Sequence, residues 1–437
     1  MSKLQSIQAA ERKLLLQTYE RNPYLFVSGD GVHLRDENGV DYLDLLSGIG
    51  CSALGYSHPA MTKAITEQAS RLIHTSNLFH HEHTVPLAQR LTEISGLDRV
   101  FFCNSGAEAW EAALKLARAH AKLFNSERPT EPQIGTKFLA LDHSFHGRTM
   151  GAVSTTHKAK YREPFNPLIP TVEFVTFNDA DDLCFRFNHE VCAILIEPIQ
   201  GEGGIHTVSP EFLNAARALC DSTGALLIFD EIQCGLGRTG KWFAFQHHTV
   251  RPDVVTVAKP IAGGIPMGAM LASEEAARAF TPGMHGTTFG GNPFACAVAI
   301  AVIDAIREDN LLAHITDVGA YFKFRLDALA KAYKDVQLIK EVRGVGLMLG
   351  LELHSAEVAT WLAAKMMEHR IILNRTSETV LRFLPPYILE RKHVDIAVDQ
   401  LDALLKEHQA GQSESGATKN TNTTDASPVL AGGITHG

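Results

Sequence analysis

The sequence predicts an α/β protein with a large domain on a mostly parallel sheet and a smaller α+β domain assembled from both chain ends. Three observations carry this. From about Thr62 to Arg307, short β-rich runs alternate with helix-like segments, the pattern of strands joined by crossover helices. Those runs are continuously apolar rather than alternating, as strands covered on both faces should be. On either side of this region the pattern changes to hairpin-like strands and separate helices.

In chain order, VHLRDENGVDYLDLLSG (32–48) sets the turn signal Glu37-Asn38-Gly39 between two strand-like runs and reads as a hairpin. RVFFC (99–103) is the first buried-strand run. It leads to a helix over Glu108–Leu123, with Trp110, Ala113, Leu114, Ala117 and Ala121 on one face. KFLAL (137–141), CAILIE (192–197), ALLIFD (225–230) and DVVTVA (253–258) follow as further strands. After about Glu308 come a helix, the runs VQLIKEVRGVGLMLGLEL (336–353) and RIILNR (370–375), and a closing helix ending near His408. The expected division is therefore residues 1–61 and 308–408 for the smaller domain and 62–307 for the larger. The tail 409–437 is rich in small and polar residues and is expected to stay disordered.

At 437 residues, 45% hydrophobic and 20% charged, the chain can bury a large core. Its first twenty residues mix Lys3, Glu11, Arg12, Lys13 and Glu20 among polar and apolar residues, with no apolar run long enough for a signal peptide or membrane span. Seven cysteines without CxxC spacing read as reduced core thiols, which fits a cytoplasmic protein. A net charge of −9 with no basic cluster argues against a nucleic-acid surface.

Ligands of open α/β sheets bind beyond the carboxyl ends of the strands, and four polar features fall there. CAILIE ends in Glu197, ALLIFD in Asp230, and DVVTVA delivers Lys259. RVFFC opens into Asn104-Ser105-Gly106-Ala107, where Asn104 and Ser105 can cap a helix whose first amides form an anion site. Each has a plain structural explanation when taken singly, as a snorkelling lysine, a solvated carboxylate or a helix cap. Together they supply an amine for a Schiff base, a deep carboxylate and a phosphate cradle, the three parts of a pyridoxal 5′-phosphate (PLP) site. Asp230 suits the pyridine nitrogen, and Lys259 the roles of covalent anchor and proton shuttle.

At these residues the chain resembles the class III (subgroup II) aminotransferases, and within them the acetylornithine aminotransferases. The resemblance runs from about Tyr19 to His408 through NSGAEA (104–109), FHGRT (145–149), EPIQGEGG (197–204), DEIQCGLGRTGKWFA (230–244), AKPIAGGIPMGA (258–269), HGTTFGGNP (285–293) and VLRFLPP (380–386). It implies PLP fold type I with a seven-stranded, mostly parallel sheet. It implies that Ser105, Gly106 and Ala107 form the phosphate-binding turn, that Phe145 stacks on the pyridine ring, and that Gln233 bonds near the cofactor's 3′ oxygen. Thr288 is similar to a residue that reaches the phosphate of the neighbouring subunit, so a homodimer with shared sites is implied. Arg148 resembles the clamp on the donor's α-carboxylate, Arg382 the clamp for 2-oxoglutarate, and Glu202 the carboxylate that pairs with Arg382 while the donor is bound. The implied reaction moves the terminal amino group of N-acetylornithine, or of a similar N-acylated basic amino acid, to 2-oxoglutarate in arginine biosynthesis. The related alternatives are ornithine and 4-aminobutyrate aminotransferases. Against ornithine, the positions matching that family's substrate-holding tyrosines are His33 and Ile49. Arg35 and Trp110 also depart from the family pattern, at positions expected to shape the edge of the site without touching its chemistry.

Two other motifs lack their context. GLGRTG (235–240) matches a dinucleotide fingerprint but does not follow its strand directly, and Trp242 stands where a P-loop needs Ser or Thr, so a nucleotide-dependent oxidoreductase is the weaker reading. His80, His81 and His83, like His247 and His248, have no Cys or carboxylate partner at zinc-like spacing, and no metal is expected.

Overall fold

The computed structural model describes residues 2–419. In chain order its strands are β1 (Phe26–Asp30), β2 (His33–Asp36), β3 (Asp41–Asp44), β4 (Arg99–Cys103), β5 (Lys137–Leu141), β6 (Val172–Val175), β7 (Val191–Ile196), β8 (Ile199–Gln200), β9 (His206–Thr207), β10 (Leu226–Asp230), β11 (Val254–Val257), β12 (Gly268–Ala272), β13 (Ile339–Val345), β14 (Met348–Leu353), β15 (Ile371–Ile372), β16 (Asn374–Thr376) and β17 (Val380–Phe383).

The central sheet has seven strands in the order β4-β12-β11-β10-β7-β5-β6. It is parallel except for β12, which runs antiparallel to both β11 and β4. Every residue of β7, β10, β11 and β12 is buried, as helices on both faces require. Helix Gly106–Glu127 covers one face, with Trp110, Ala113, Leu114, Ala117 and Ala121 all inward. Helices Pro210–Thr223 and Pro293–Glu308 pack their apolar stripes into the larger core cluster.

The chain ends build two further sheets. The hairpin at 32–48 forms with Leu34 opposite Tyr42. Its strand β3 then pairs in parallel with β15, more than three hundred residues later in the chain. Strands β13, β14, β17 and β16 form an antiparallel sheet. The closing helix begins at Arg391 and runs to Lys419, past the expected end near His408. The added turns read EHQAGQSESGATK, where Glu, Gln, Ala and Lys outnumber the two glycines and local propensity permits helix. The rest of the expected disordered tail lies outside the described residues. Among the described residues no helix is long and apolar enough to cross a membrane, and all seven cysteines are free thiols.

Candidate active site

The carboxyl ends of β4, β5, β7, β10 and β11 open on one cavity of about 400 Å³. Ser105, Gly106, Ala107, Phe145, Glu197, Glu202, Asp230, Gln233 and Lys259 all line it.

Lys259 follows β11 at the start of a short 3₁₀ turn. Its amine has no hydrogen-bond partner among the described residues. Burial lowers its pKa, the nearby Arg382 guanidinium lowers it further, and Glu202 opposes both. The result is an amine biased toward its neutral, nucleophilic form.

Asp230 ends β10 on the neighbouring strand, opposite Thr256 in the register. It is 4% exposed, and its two oxygens are held separately. Oδ1 accepts from the Ile232 amide at 3.1 Å and the Thr256 hydroxyl at 3.3 Å, while Oδ2 lies 2.7 Å from Nδ1 of His146. The His146 ring stacks on Trp110 at 3.9 Å between centroids and 8° between planes, and the Trp110 indole donates to the Thr155 hydroxyl at 2.9 Å. His146 was not legible beforehand: it is one polar residue inside FHGRT, and only the fold brings it to Asp230. Trp110, expected at the rim, is instead fully buried and in contact with the partner of Asp230. Arg35 is engaged with Asp41 on the surface of the β2–β3 hairpin.

Glu197 sits at the end of β7, its oxygens accepting from the amides of Phe145 (2.9 Å) and Gly201 (3.3 Å). Burial, and then the charge of Asp230, push its pKa well above the ordinary carboxylate range.

Arg382, on β17, is 1% exposed. Its Nη1 donates to Glu202 at 2.5 Å, Gln233 Oε1 at 3.1 Å and the Gly201 carbonyl at 3.2 Å, and its Nε donates to Asn374 at 3.1 Å. Burial alone would raise the pKa of Glu202, but Arg382 outweighs it and holds the carboxylate below its ordinary value. Gly201 makes this packing feasible: a Cβ there would stand 2.2 Å from Gln233 Oε1.

Ser105 caps helix Gly106–Glu127, its hydroxyl accepting from the Glu108 amide at 3.2 Å. Gly106 and Ala107 then present the positive end of that helix to the cavity. Two expected residues lie elsewhere. Arg148 is exposed and rests on the Tyr161 ring at 3.7 Å. Thr288 is exposed on the loop before helix Pro293–Glu308 and does not border this chain's own cavity. His33 packs against His393, and Ile49 occupies a left-handed turn spanning Ser47–Gly50; neither lines the cavity.

The remaining motifs have structural uses. Arg238, within GLGRTG, is fully buried and donates to the carbonyls of Leu347 and Pro385, tying this loop to the C-terminal segments. His81, His83 and His247 bond to the Gly291 carbonyl, Gln68 and Thr239. Among the described residues no three His, Cys, Asp or Glu side chains are grouped to hold a metal ion.

A depressed lysine beside a buried carboxylate at the carboxyl edge of such a sheet places the molecule in a known class, and the sequence comparison agrees. The chain belongs to the class III aminotransferases, whose family pattern matches residues 16–405. Within that family it is 45% identical to an acetylornithine aminotransferase of Methanocaldococcus jannaschii, over 91% of this chain and 97% of the relative. It is 44% identical to an acetylornithine aminotransferase of Caldanaerobacter subterraneus subsp. tengcongensis, over 91% and 98%. Among solved structures, the ornithine aminotransferase of Toxoplasma gondii aligns with a TM-score of 0.86 at 32% identity, covering 94% of this chain and 97% of that one. The acetylornithine aminotransferase of Elizabethkingia anophelis aligns with a TM-score of 0.80 at 29% identity, covering 93% and 100%.

Proposed function

We propose that this protein is a PLP-dependent transaminase that moves the terminal amino group of N-acetylornithine, or of a similar N-acylated basic amino acid, to 2-oxoglutarate, giving the semialdehyde and glutamate in arginine biosynthesis. One observation carries the reading: an unpartnered, depressed lysine and a buried, doubly held carboxylate open from adjacent strands on the same cavity as a capped helix N-terminus. That donor set fits PLP, with a nucleophilic amine for its carbonyl, an acceptor for its ring N–H and amides for its phosphate.

When bound, PLP supplies an electron sink for the substrate carbon. Asp230 keeps a proton on the pyridine nitrogen, and His146, clamped by Trp110, fixes the carboxylate's orientation. Ser105, Gly106 and Ala107, at the helix N-terminus in the cavity, would hold the phosphate, and Phe145 and Gln233, which also line it, would cover the ring and bond near the 3′ oxygen. Lys259 anchors the cofactor and then moves the proton at the substrate's reacting carbon. Glu202 neutralises Arg382 while the donor is present and gives way to the carboxylate of 2-oxoglutarate. Arg148, 5.7 Å from the ring of the cavity-lining Phe145, stands at the rim of the cavity and would take the donor's α-carboxylate from there.

The identity to acetylornithine aminotransferases supports the acylated donor. A panel of N-acylated ornithines and lysines, with ornithine and 4-aminobutyrate, tests this. N-acetylornithine is expected to exceed both unacylated donors by at least ~100-fold in kcat/KM. Equal efficiency with ornithine would move the chain to that sister activity.

The exposed Thr288 loop supports a homodimer in which each chain completes the other's phosphate site. Thr288→Val should then weaken PLP retention, and a fully active monomer in sedimentation at assay concentration would contradict the shared site. Seven free thiols support action in the cytoplasm.

A further inference from the structure

A second pocket, of about 330 Å³, adjoins the active-site cavity and shares Phe145 and Glu202 with it. Lys158 and Lys160 border it from the short helix around Ala159–Arg162, and Arg375 borders it from β16. The Lys160 and Lys158 amines lie 5.4 and 5.8 Å from the centre of the Tyr161 ring, on which Arg148 also rests. Three cations thus converge on one tyrosine, and none of them has an ion-pair partner among the described residues. Among the described residues Arg375 donates only to the Glu378 carbonyl, at 2.7 Å. Of the carboxylates facing the pocket, Glu202 is engaged by Arg382 and Glu378 alone remains; beyond the cations, His143 and Tyr161 are the other titratable groups there.

Cation–π contact offsets part of the repulsion among these groups, but it does not explain why they gather beside the site without an ion pair among the described residues. The chain as a whole carries −9, so this cluster runs against the overall sign of the chain and offers an anionic substrate a local point of attraction. We propose that Lys158, Lys160 and Arg375 form an anion funnel that captures the dicarboxylate acceptor and delivers it past Phe145 toward Arg382. This rests on the reading of 2-oxoglutarate as acceptor. It makes the two half-reactions electrostatically unequal: the acceptor is a dianion, whereas an N-acylated donor carries one carboxylate and one ammonium and has no net charge.

The test compares the holoenzyme with its Lys158→Glu/Lys160→Glu variant. Each half-reaction is followed separately by stopped-flow absorbance, and glutarate, a dicarboxylate that cannot react, is titrated calorimetrically. Measurements are made at about 10 mM salt, where charges act over ~30 Å, and at about 1 M, where they act over ~3 Å. At low salt the variant should lose about ten-fold in glutarate affinity and in acceptor kcat/KM, the lower end of electrostatic steering, while its donor half-reaction stays within about two-fold. At high salt the two proteins should converge. An unchanged glutarate affinity, or equal losses in both half-reactions, overturns the funnel. Lys158→Gln/Lys160→Gln should fall between the two and serves if charge reversal prevents folding. Salt-sensitive glutarate binding in a protein that rejects every N-acylated donor would keep the funnel and sink the donor assignment instead.

Discussion

Replacing Glu202 with glutamine should tighten the enzyme's hold on its acceptor. In the resting site the Glu202 carboxylate occupies Arg382 Nη1 at 2.5 Å, so an incoming dicarboxylate must break a charge-assisted hydrogen bond, a contact worth about 1.5–3 kcal/mol. The displaced carboxylate recovers part of this from water, because its side chain is already 35% exposed. The net cost of displacement therefore falls just below that range, at about 1.4 kcal/mol or ten-fold in affinity. Glutamine keeps the length and one carbonyl acceptor but gives up the charge. Arg382 stays in place through the Gly201 carbonyl, Gln233 and Asn374. Glu202→Gln should accordingly lower the 2-oxoglutarate concentration at half-saturation, and the inhibition constant of glutarate, by about ten-fold. The donor half-reaction should weaken, since Arg382 then faces the donor unneutralised. Stopped-flow half-reactions measure both effects. Acceptor affinity that is unchanged or lower in the variant would refute the switch.

Lys259→Ala should abolish the yellow absorbance of the bound cofactor and lower kcat by several orders of magnitude, because anchor and proton carrier are lost together; near-normal turnover would reassign both roles. The depressed pKa of Lys259 also makes a stability prediction. Between that lowered value and the ordinary 10.5, the unfolded chain binds a proton that the folded chain does not, so the cofactor-free protein gains stability with rising pH across this window. Its melting temperature should rise relative to Lys259→Met as the solution is made alkaline, and parallel curves would contradict the burial argument. Gly201→Ala should cost about 1–3 kcal/mol by thermal melt, since its Cβ would meet Gln233 Oε1 at 2.2 Å. It should also weaken glutarate binding by disturbing a partner of Arg382.

Much of this architecture was written in residue pattern. RVFFC, KFLAL, CAILIE, ALLIFD and DVVTVA are legible as strands because sheet burial on both faces leaves no polar alternation to confuse them. The other two strands of the central sheet are different. VEFV at β6 is four residues long with a glutamate inside, and GAMLA at β12 is made mainly of small residues that any element accepts. Strand β12 is also the antiparallel one, and its place depends on Gly268 passing the Ser105 carbonyl, where a Cβ would approach within 2.5 Å. In the site, Asp230 and Lys259 stood out as charges closing apolar runs. His146 and Trp110 did not, because their pairing is a tertiary contact between a loop and a helix face. The exposed position of Arg148 was hidden for the same reason.

The pairing of β3 with β15 bears on how the chain is made. Leu43 donates to the Arg370 carbonyl at 2.9 Å and Leu45 to that of Ile372 at 2.8 Å, while Leu384 and Tyr387 donate back to Leu45 and Ala53. A ribosome releases the hairpin long before residues 370–387 exist. The central sheet can close in the meantime, but the edge of β3 must wait, unpaired, for nearly the whole chain to emerge. Pairings of such sequence separation are slow to form and expose strand edges to aggregation. Shortening either terminus past these strands should therefore injure the same late step, and the two lesions should not add.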